Sequence, residues 1–168
     1  MYSLSQETGA DFWEVEALYD LCFAPGREAL SSYRLRDGVA PVAKLSLVAR
    51  DADGILGGAI RYWPVCVGGA DCLLLGPVAV HPTRQGEGLG GVLIRDSLAL
   101  AKSGPAAWSR VLLVGDASYY GRFGFKKRAD IKMPPPTNPD RVLGLSLTDM
   151  AWQGVSGQVT PVNVNRAG

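Results

Sequence analysis

Two apolar runs in the second half of the chain flank a stripe of apolar residues at helical spacing. Residues 72–80 (CLLLGPVAV) and 110–115 (RVLLVG) are apolar at nearly every position, which indicates strands that are buried on both faces. Between them the apolar positions recur every three or four residues, which predicts a helix packed on a sheet. These positions are Gly90, Leu93, Ile94, Leu98 and Ala101. The order strand, helix, strand predicts an α/β fold.

The first half of the chain is patterned for helices and antiparallel strands. Apolar residues at helical spacing over 11–22 predict one helix, and a second helical segment is predicted over 27–35. Strands are predicted over 42–50 and 55–67, with the turn sequence DADG at 51–54 between them. The strand at 72–80 then follows after a second turn.

Two strands near the C-terminal end complete the predicted sheet, which is mixed and mostly antiparallel. They cover residues 142–147 and 155–159, after a proline-rich loop at 133–139. Too little chain follows that loop to fold alone, and 168 residues is an ordinary length for one domain. We therefore predict a single α/β domain over residues 1–168, with helices flanking a central sheet.

Composition and charge limit the kinds of partner and the location that we expect for this protein. The chain is 47% hydrophobic and 20% charged, with a formal net charge of +1, which gives no support for a nucleic-acid or membrane-surface partner. No apolar stretch approaches the roughly 18 residues of a membrane span, and the N-terminus lacks a secretory-signal pattern. Three cysteines fit neither a disulfide framework nor a CxxC site, and there is one histidine. We expect a cytoplasmic protein without a bound metal.

Four glycines lie within six residues at the start of the predicted helix, in the sequence HPTRQGEGLGG (81–91). A helix N-terminus presents unpaired N–H groups and the positive end of a dipole, and glycines let an anion approach the main chain. A flexible turn is the simpler interpretation of a single glycine. Gly86, Gly88, Gly90 and Gly91 together favour a phosphate site.

The same glycines also satisfy the dinucleotide pattern G-x-G-x-x-G, but their context differs from that of a dinucleotide site. That pattern normally follows its strand directly, with an acidic residue about 20 positions later. Here HPTRQ separates strand and glycines, and Ser109 and Arg110 stand where the acid belongs. A P-loop is favoured still less, because no G-K-[ST] follows.

The stretch VAVHPTRQGEGLGG resembles the acetyl-CoA motif of the GNAT superfamily of acyl-CoA-dependent N-acyltransferases. Gln85, Gly88 and Gly90 occupy the defined positions of its [RQ]-x-x-G-x-[GA] signature. SLVARDADGILGGAI resembles the strand pair before the motif, and VLLVGDASYYGRFGF the strand and Tyr-x-x-x-Gly-Phe element after it. The tail GVSGQV resembles the YhbS-like branch. The resemblance implies a GNAT-type domain whose two central strands splay apart.

The resemblance implies that acetyl-CoA binds as acyl donor at the glycine loop and along the preceding strand. Backbone amides of the loop would hold the pyrophosphate; the loop residues are Gln85, Gly86, Glu87, Gly88, Leu89, Gly90 and Gly91. For Glu87 and Leu89 we expect the backbone amide, and not the side chain, to contact the donor. The backbone of Val78, Ala79 and Val80 would pair with the pantetheine arm in the gap between the strands. Pro77 independently predicts a bulge or a missing partner there, because proline cannot donate to a sheet ladder.

Tyr120 stands at the position of the family's general acid, which protonates the leaving thiolate. Asp116 is either a base for the acceptor amine or the cap of a short helix over 117–122. No Glu lies in the strand over 72–80, where some relatives carry one, so the resemblance assigns no dedicated base. The basic run Lys126, Lys127 and Arg128 is either a 3′-phosphate site or a solvated patch.

Direct acetyl transfer to a primary amine is the function that the resemblance implies. The acceptor is a small-molecule or protein amine, and a homodimer is possible. Two alternatives come from other classes: a non-catalytic acyl-CoA-binding sensor, which would bind without turnover, and a dinucleotide-dependent oxidoreductase, which would bind NAD(P).

Overall fold

The sheet and its helices are seen in a computed structural model that describes residues 1–23, 31–103 and 107–162. The helices are α1 (Phe12–Phe23), α2 (Ser31–Arg34), α3 (Leu89–Lys102) and α4 (Ala117–Tyr120). The strands are β1 (Ser3–Gln6), β2 (Leu47–Arg50), β3 (Leu56–Val67), β4 (Ala70–Val80), β5 (Arg110–Val114), β6 (Lys126–Lys127), β7 (Ile131–Lys132), β8 (Val142–Ser146) and β9 (Gly157–Pro161). No helix within these ranges is long and apolar enough to cross a membrane.

The sheet is mixed and mostly antiparallel, as predicted. Its strands follow the order β1-β2-β3-β4-β5-β8-β6, and β9 pairs with β3 and β7. Along the main path every pair is antiparallel except β4 and β5, which run parallel. The parallel pair lies at the centre because α3 carries the chain from the end of β4 across the sheet to β5.

Helices cover both faces of the sheet, so β4 is buried on each side. The apolar stripe of α3, which includes Leu93 and Ile94, packs with Leu73 and Leu75 of β4 in one core cluster. Val15, Leu18 and Tyr19 of α1 pack with Ala79 in another, on the opposite face. Side chains of a strand alternate between the two faces of a sheet, so the almost wholly apolar β4 contributes buried side chains to both clusters.

β4 and β5 are joined only at one end. Their register consists of Leu73 opposite Val111 and Leu74 opposite Leu112. Beyond Leu74, β4 continues to Val80 without pairing to β5. Splayed central strands, which the resemblance implied, are therefore present, and the gap begins just before Gly76.

A bulge in β4 lies at the start of this gap. The β3–β4 register shifts so that Ile60 faces Val78 and Tyr62 faces Leu75, which leaves Gly76 and Pro77 opposite a single residue, Arg61. This is the irregularity that Pro77 predicts, because its nitrogen cannot join the ladder.

Two predicted elements differ from the structure. The strand expected over 42–50 is reduced to β2, because residues Ala43–Leu45 form a 3₁₀ turn. The Ser46 hydroxyl donates to the Val42 carbonyl (3.0 Å), an alternative to a strand ladder that serine often offers. The helical segment expected over 27–35 is represented by α2, and residues 24–30 lie outside the described residues.

Replacing Tyr62 by Phe is expected to lower the free energy of unfolding by about 1 kcal/mol. The Tyr62 hydroxyl is buried and lies 2.7 Å from the Ser97 hydroxyl. Ser97 still donates to the Leu93 carbonyl (2.6 Å) in the variant, so no buried donor loses its last partner. Urea unfolding of both proteins measures the difference. A loss above about 3 kcal/mol would contradict this reasoning.

Candidate active site

Two adjoining clefts open where β4 and β5 part. The strand-gap cleft has a volume of about 520 Å³, and the glycine-loop cleft beside it about 480 Å³. Val78, Tyr119 and Tyr120 line both, so a long ligand can pass from one to the other. The strand-gap cleft is also lined by Phe23, Ser32, Tyr33, Arg36, Leu74, Leu75, Gly76, Pro77, Leu113, Val114, Gly115, Asp116 and Arg141. The glycine-loop cleft is also lined by Val80, Arg84, Gln85, Gly86, Gly88, Leu89, Gly90, Gly91, Arg95 and Arg122.

The glycine loop leads into the N-terminus of α3, which no side chain caps. Gly88 is the N-cap residue with φ 81°, and Gly86 has φ 87°, a region that favours glycine. The Val92 N–H donates to the Gly88 carbonyl, so the amides of Leu89, Gly90 and Gly91 precede the first helical hydrogen bond. These amides and the helix dipole make the cleft favourable for an anion.

The side chains of the loop take other partners, as the sequence analysis expects for Glu87 and Leu89. The Tyr2 hydroxyl donates to the Glu87 carboxylate (2.9 Å), and Leu89 is buried in the core. The Gln85 amide donates to the Val80 carbonyl (3.2 Å) and so ties the loop to the end of β4.

Three arginines that were not predicted as site residues line the glycine-loop cleft. Arg84 forms an ion pair with Asp51, with 2.8 Å between Nη2 and the carboxylate oxygen. The Arg122 guanidinium lies over the Tyr119 ring, 4.6 Å from the ring centroid. Arg95 lies one helical turn after Gly91. The proximity of Arg84 to Gln85 and the i+4 spacing of Arg95 were available signals.

The basic run at 126–128 does not line either cleft. Lys126 and Lys127 are exposed on β6, and Arg128 pairs with Asp130 at 2.9 Å. The solvated-patch interpretation of this run therefore fits the structure better than a 3′-phosphate site.

The free edge of β4 presents the backbone of Val78 and Val80 to the gap. The His81 N–H donates to the Gly57 carbonyl (2.8 Å), and hydrogen-bonded positions alternate along an antiparallel pair. Ala79 therefore directs its backbone groups toward β3, whereas Val78 and Val80 direct theirs away. The Val80 carbonyl confirms that direction, because it accepts from side chains outside β3.

Tyr120 stands at the junction of the two clefts. A Cβ at Gly115 would lie 2.6 Å from its ring, so the glycine lets Tyr120 pack against the end of β5. Within the described part of the chain no group forms a hydrogen bond with its hydroxyl. Burial is the main cause, and the neighbouring Tyr119 the second, that raises the pKa of Tyr120 to about 12. The Tyr120 hydroxyl therefore stays protonated at neutral pH.

Asp116 caps α4. Its carboxylate accepts from the Ser118 N–H (2.9 Å) and the Ser118 hydroxyl (2.8 Å). These hydrogen bonds lower the pKa of Asp116, which makes the carboxylate a weaker base.

Comparison with known proteins agrees with this geometry. Residues 43–127 match the sequence model of the acetyltransferase (GNAT) domain. The chain is 34% identical over 151 residues to YhbS of Escherichia coli (strain K12), an uncharacterized N-acetyltransferase, with 86% of this chain and 87% of that protein covered.

Solved structures show the same relationship. The crystal structure of Escherichia coli YhbS in complex with CoA has a TM-score of 0.79 and 30% identity, over 95% of this chain and 89% of that one. A GNAT family acetyltransferase from Brucella melitensis in complex with acetyl-CoA has a TM-score of 0.70 and 31% identity, over 95% of both chains. The splayed sheet and the matched sequence lead to one conclusion: this chain belongs to the GNAT family of acetyltransferases.

Proposed function

We propose that the protein transfers the acetyl group of acetyl-CoA to a primary amine, by direct attack within a ternary complex. The observation that carries this proposal is the gap between β4 and β5, which connects the uncapped N-terminus of α3 with the Tyr120 hydroxyl. Two relatives with this fold were crystallised with CoA and with acetyl-CoA.

The charges of the two clefts favour one orientation of the donor. Its pyrophosphate binds the amides of Leu89, Gly90 and Gly91, and the three arginines of the glycine-loop cleft add positive charge. The pantetheine arm extends along Val78 and Val80 and pairs with the Val78 backbone and the Val80 N–H, since the Val80 carbonyl already accepts from Cys22 and Gln85. Its thioester then lies beside Tyr120, where the Val78 amide can polarise the carbonyl.

The reaction forms a C–N bond and breaks a C–S bond. The neutral amine attacks the thioester carbonyl carbon, and the C–S electron pair leaves with the sulfur. The Tyr120 hydroxyl donates its proton to the sulfur, and the proton that the nitrogen loses returns to Tyr120 through water. A free thiol has a pKa of about 8.5, well below that of Tyr120, so we expect the two proton transfers to be coupled.

Replacing Asp116 by Asn is expected to leave kcat/KM within about threefold of the parent value, because Asn caps helices as well as Asp does. The hydrogen bonds from Ser118 lower the pKa of Asp116, so we do not expect this carboxylate to produce the rise of kcat/KM with pH. The rise of kcat/KM with pH then reports deprotonation of the acceptor amine in both proteins. A loss of about 100-fold in the Asn variant would instead identify Asp116 as the base.

A titration and an acceptor screen test the proposed function together. Isothermal titration with acetyl-CoA, NAD and NADP identifies the cosubstrate, and release of free thiol in the presence of primary amines measures transfer. We expect acetyl-CoA to bind and at least one class of amine to release thiol. Binding without release from any amine would favour the sensor, and binding of NAD(P) alone would favour the oxidoreductase.

A further inference from the structure

Arg36 follows α2 and lines the strand-gap cleft. Arg36 is only 9% exposed, and its guanidinium lies 4.1 Å from the Tyr33 ring centroid and 5.0 Å from the Trp63 ring centroid. Trp63 is fixed in turn, because its indole N–H donates to the Gly76 carbonyl (2.8 Å) at the bulge of β4. The cation is therefore held at a defined place on the wall of the cleft.

Arg36 forms a hydrogen bond with the Tyr33 side chain but has no carboxylate partner among the residues that the structure describes, and its Nε–H is buried without an acceptor. Burial lowers the pKa of Arg36 to about 10, so the group remains cationic at neutral pH.

Arg61 shows how this protein treats a buried arginine that serves the fold. It is 5% exposed and is paired with Glu7 at 2.7 Å and Glu16 at 3.4 Å. A buried charge without a partner is costly, and a planar guanidinium matches a carboxylate in a bidentate geometry. Among the described residues Arg36 lacks such a carboxylate, so its guanidinium can accept an anion that enters the cleft.

The cleft itself points to the same kind of ligand. Besides Arg36 it is lined by Arg141, and its one carboxylate among the described lining residues, Asp116, is engaged by Ser118. Gly76, which lines the same cleft, adjoins the guanidinium: a Cβ placed there would lie 3.8 Å from Nη2. The cation therefore faces the space in which the acceptor must approach the thioester.

We propose that the acceptor is a small amine that also carries a carboxylate, which Arg36 binds in the strand-gap cleft. This inference rests on the proposed acetyltransferase function, since it names the class of acceptor for the same site. Arg36 acts as a specificity residue: it binds the carboxylate and takes no part in the transfer of the acetyl group.

Matched acceptors test the proposal. Amino acids, including β-alanine, are compared with their amides, which lack only the carboxylate charge, and O-phosphoethanolamine is compared with ethanolamine. We expect kcat/KM, measured by thiol release, to favour the carboxylate member by about 10- to 100-fold. Arg36→Met abolishes that preference through KM, and Arg36→Lys restores part of it. Arg34→Met is the matched control, because Arg34 lies two residues before Arg36, is exposed and donates to the Pro135 carbonyl; we expect it to keep the full preference.

The melting temperature and the acetyl-CoA affinity distinguish this role of Arg36 from a purely structural one. If Arg36 serves the acceptor, exchange of this buried charge, which has no carboxylate partner in the described ranges, for Met is expected to keep or raise the melting temperature and to leave acetyl-CoA affinity unchanged. A lower melting temperature together with an equal loss for charged and neutral amines would overturn the proposal.

Further outcomes separate this proposal from the proposed function. If the amides are acetylated as well as the acids, and Arg36→Met does not change kcat/KM for either, the carboxylate site is overturned while the transferase function stands. Preference for O-phosphoethanolamine over every carboxylate would overturn it in favour of a phosphate. If no amine releases thiol, titration of the CoA complex with N-acetylated amino acids decides: Arg36-dependent binding supports the site although transfer has failed, and absent binding overturns it.

Discussion

Replacing Tyr120 by Phe is expected to lower kcat about 10²- to 10⁴-fold while leaving the dissociation constant of acetyl-CoA unchanged. The hydroxyl lies at the junction of the two clefts without a hydrogen-bond partner in the described chain, so its removal leaves no protein group unpaired. The leaving thiolate, by contrast, loses its proton donor. Thiol release at saturating acceptor gives kcat, and isothermal titration gives the affinity.

Tyr62→Phe is the matched control for this experiment. It deletes the same atom from a buried tyrosine that lines neither cleft, so it is expected to lower stability with kcat unchanged. Tyr120→Phe with full kcat would show that another group, or water, protonates the sulfur. Loss of acetyl-CoA binding in that variant would show that Tyr120 holds the donor.

Replacing Gly90 by Val is expected to raise the dissociation constant of acetyl-CoA about 100-fold or more. A Cβ at Gly90 would lie 3.2 Å from the Tyr119 hydroxyl and 3.6 Å from the Val80 side chain, so the larger residue obstructs the glycine-loop cleft. The pyrophosphate then loses charge-assisted hydrogen bonds from the first turn of α3, each worth about 1.5–3 kcal/mol. Isothermal titration measures the change.

Gly9→Val is the control for Gly90→Val. Gly9 lies in the turn before α1, and a Cβ there would meet nothing within 4 Å. It makes the same chemical change away from the site, and we expect donor affinity to be unaffected. Equal affinity of the Gly90 variant, with its melting temperature intact, would place the pyrophosphate elsewhere.

The donor half of the candidate site could be predicted because its signals are local. Four glycines at a helix start create exposed amides wherever the helix packs, and Pro77 disrupts a strand ladder whatever its neighbours are. The gap between β4 and β5 follows from these features together with the resemblance. Its extent, only two paired positions, required the structure.

The acceptor half could not be predicted, because it is assembled by contacts between distant segments. Arg36 belongs to no motif, and its neighbour Trp63 is brought to Gly76 only by the long β3–β4 pairing. The three arginines of the glycine-loop cleft likewise come from the 3₁₀ turn before the glycines, from α3 and from the 3₁₀ turn after α4. Their convergence depends on the packed sheet.

Some sequence predictions concern properties beyond this geometry and stay predictions. They are the single domain over 1–168, the possible homodimer and the cytoplasmic location.

A crystal structure of this protein with CoA tests the donor site most directly. We predict pyrophosphate oxygens within about 2.7–3.1 Å of the amides at Leu89–Gly91, pantetheine hydrogen-bonded to Val78 or Val80, and the sulfur about 3–3.5 Å from the Tyr120 hydroxyl. CoA bound away from the β4–β5 gap, or β4 and β5 paired along their whole length around it, would contradict the proposed transferase site.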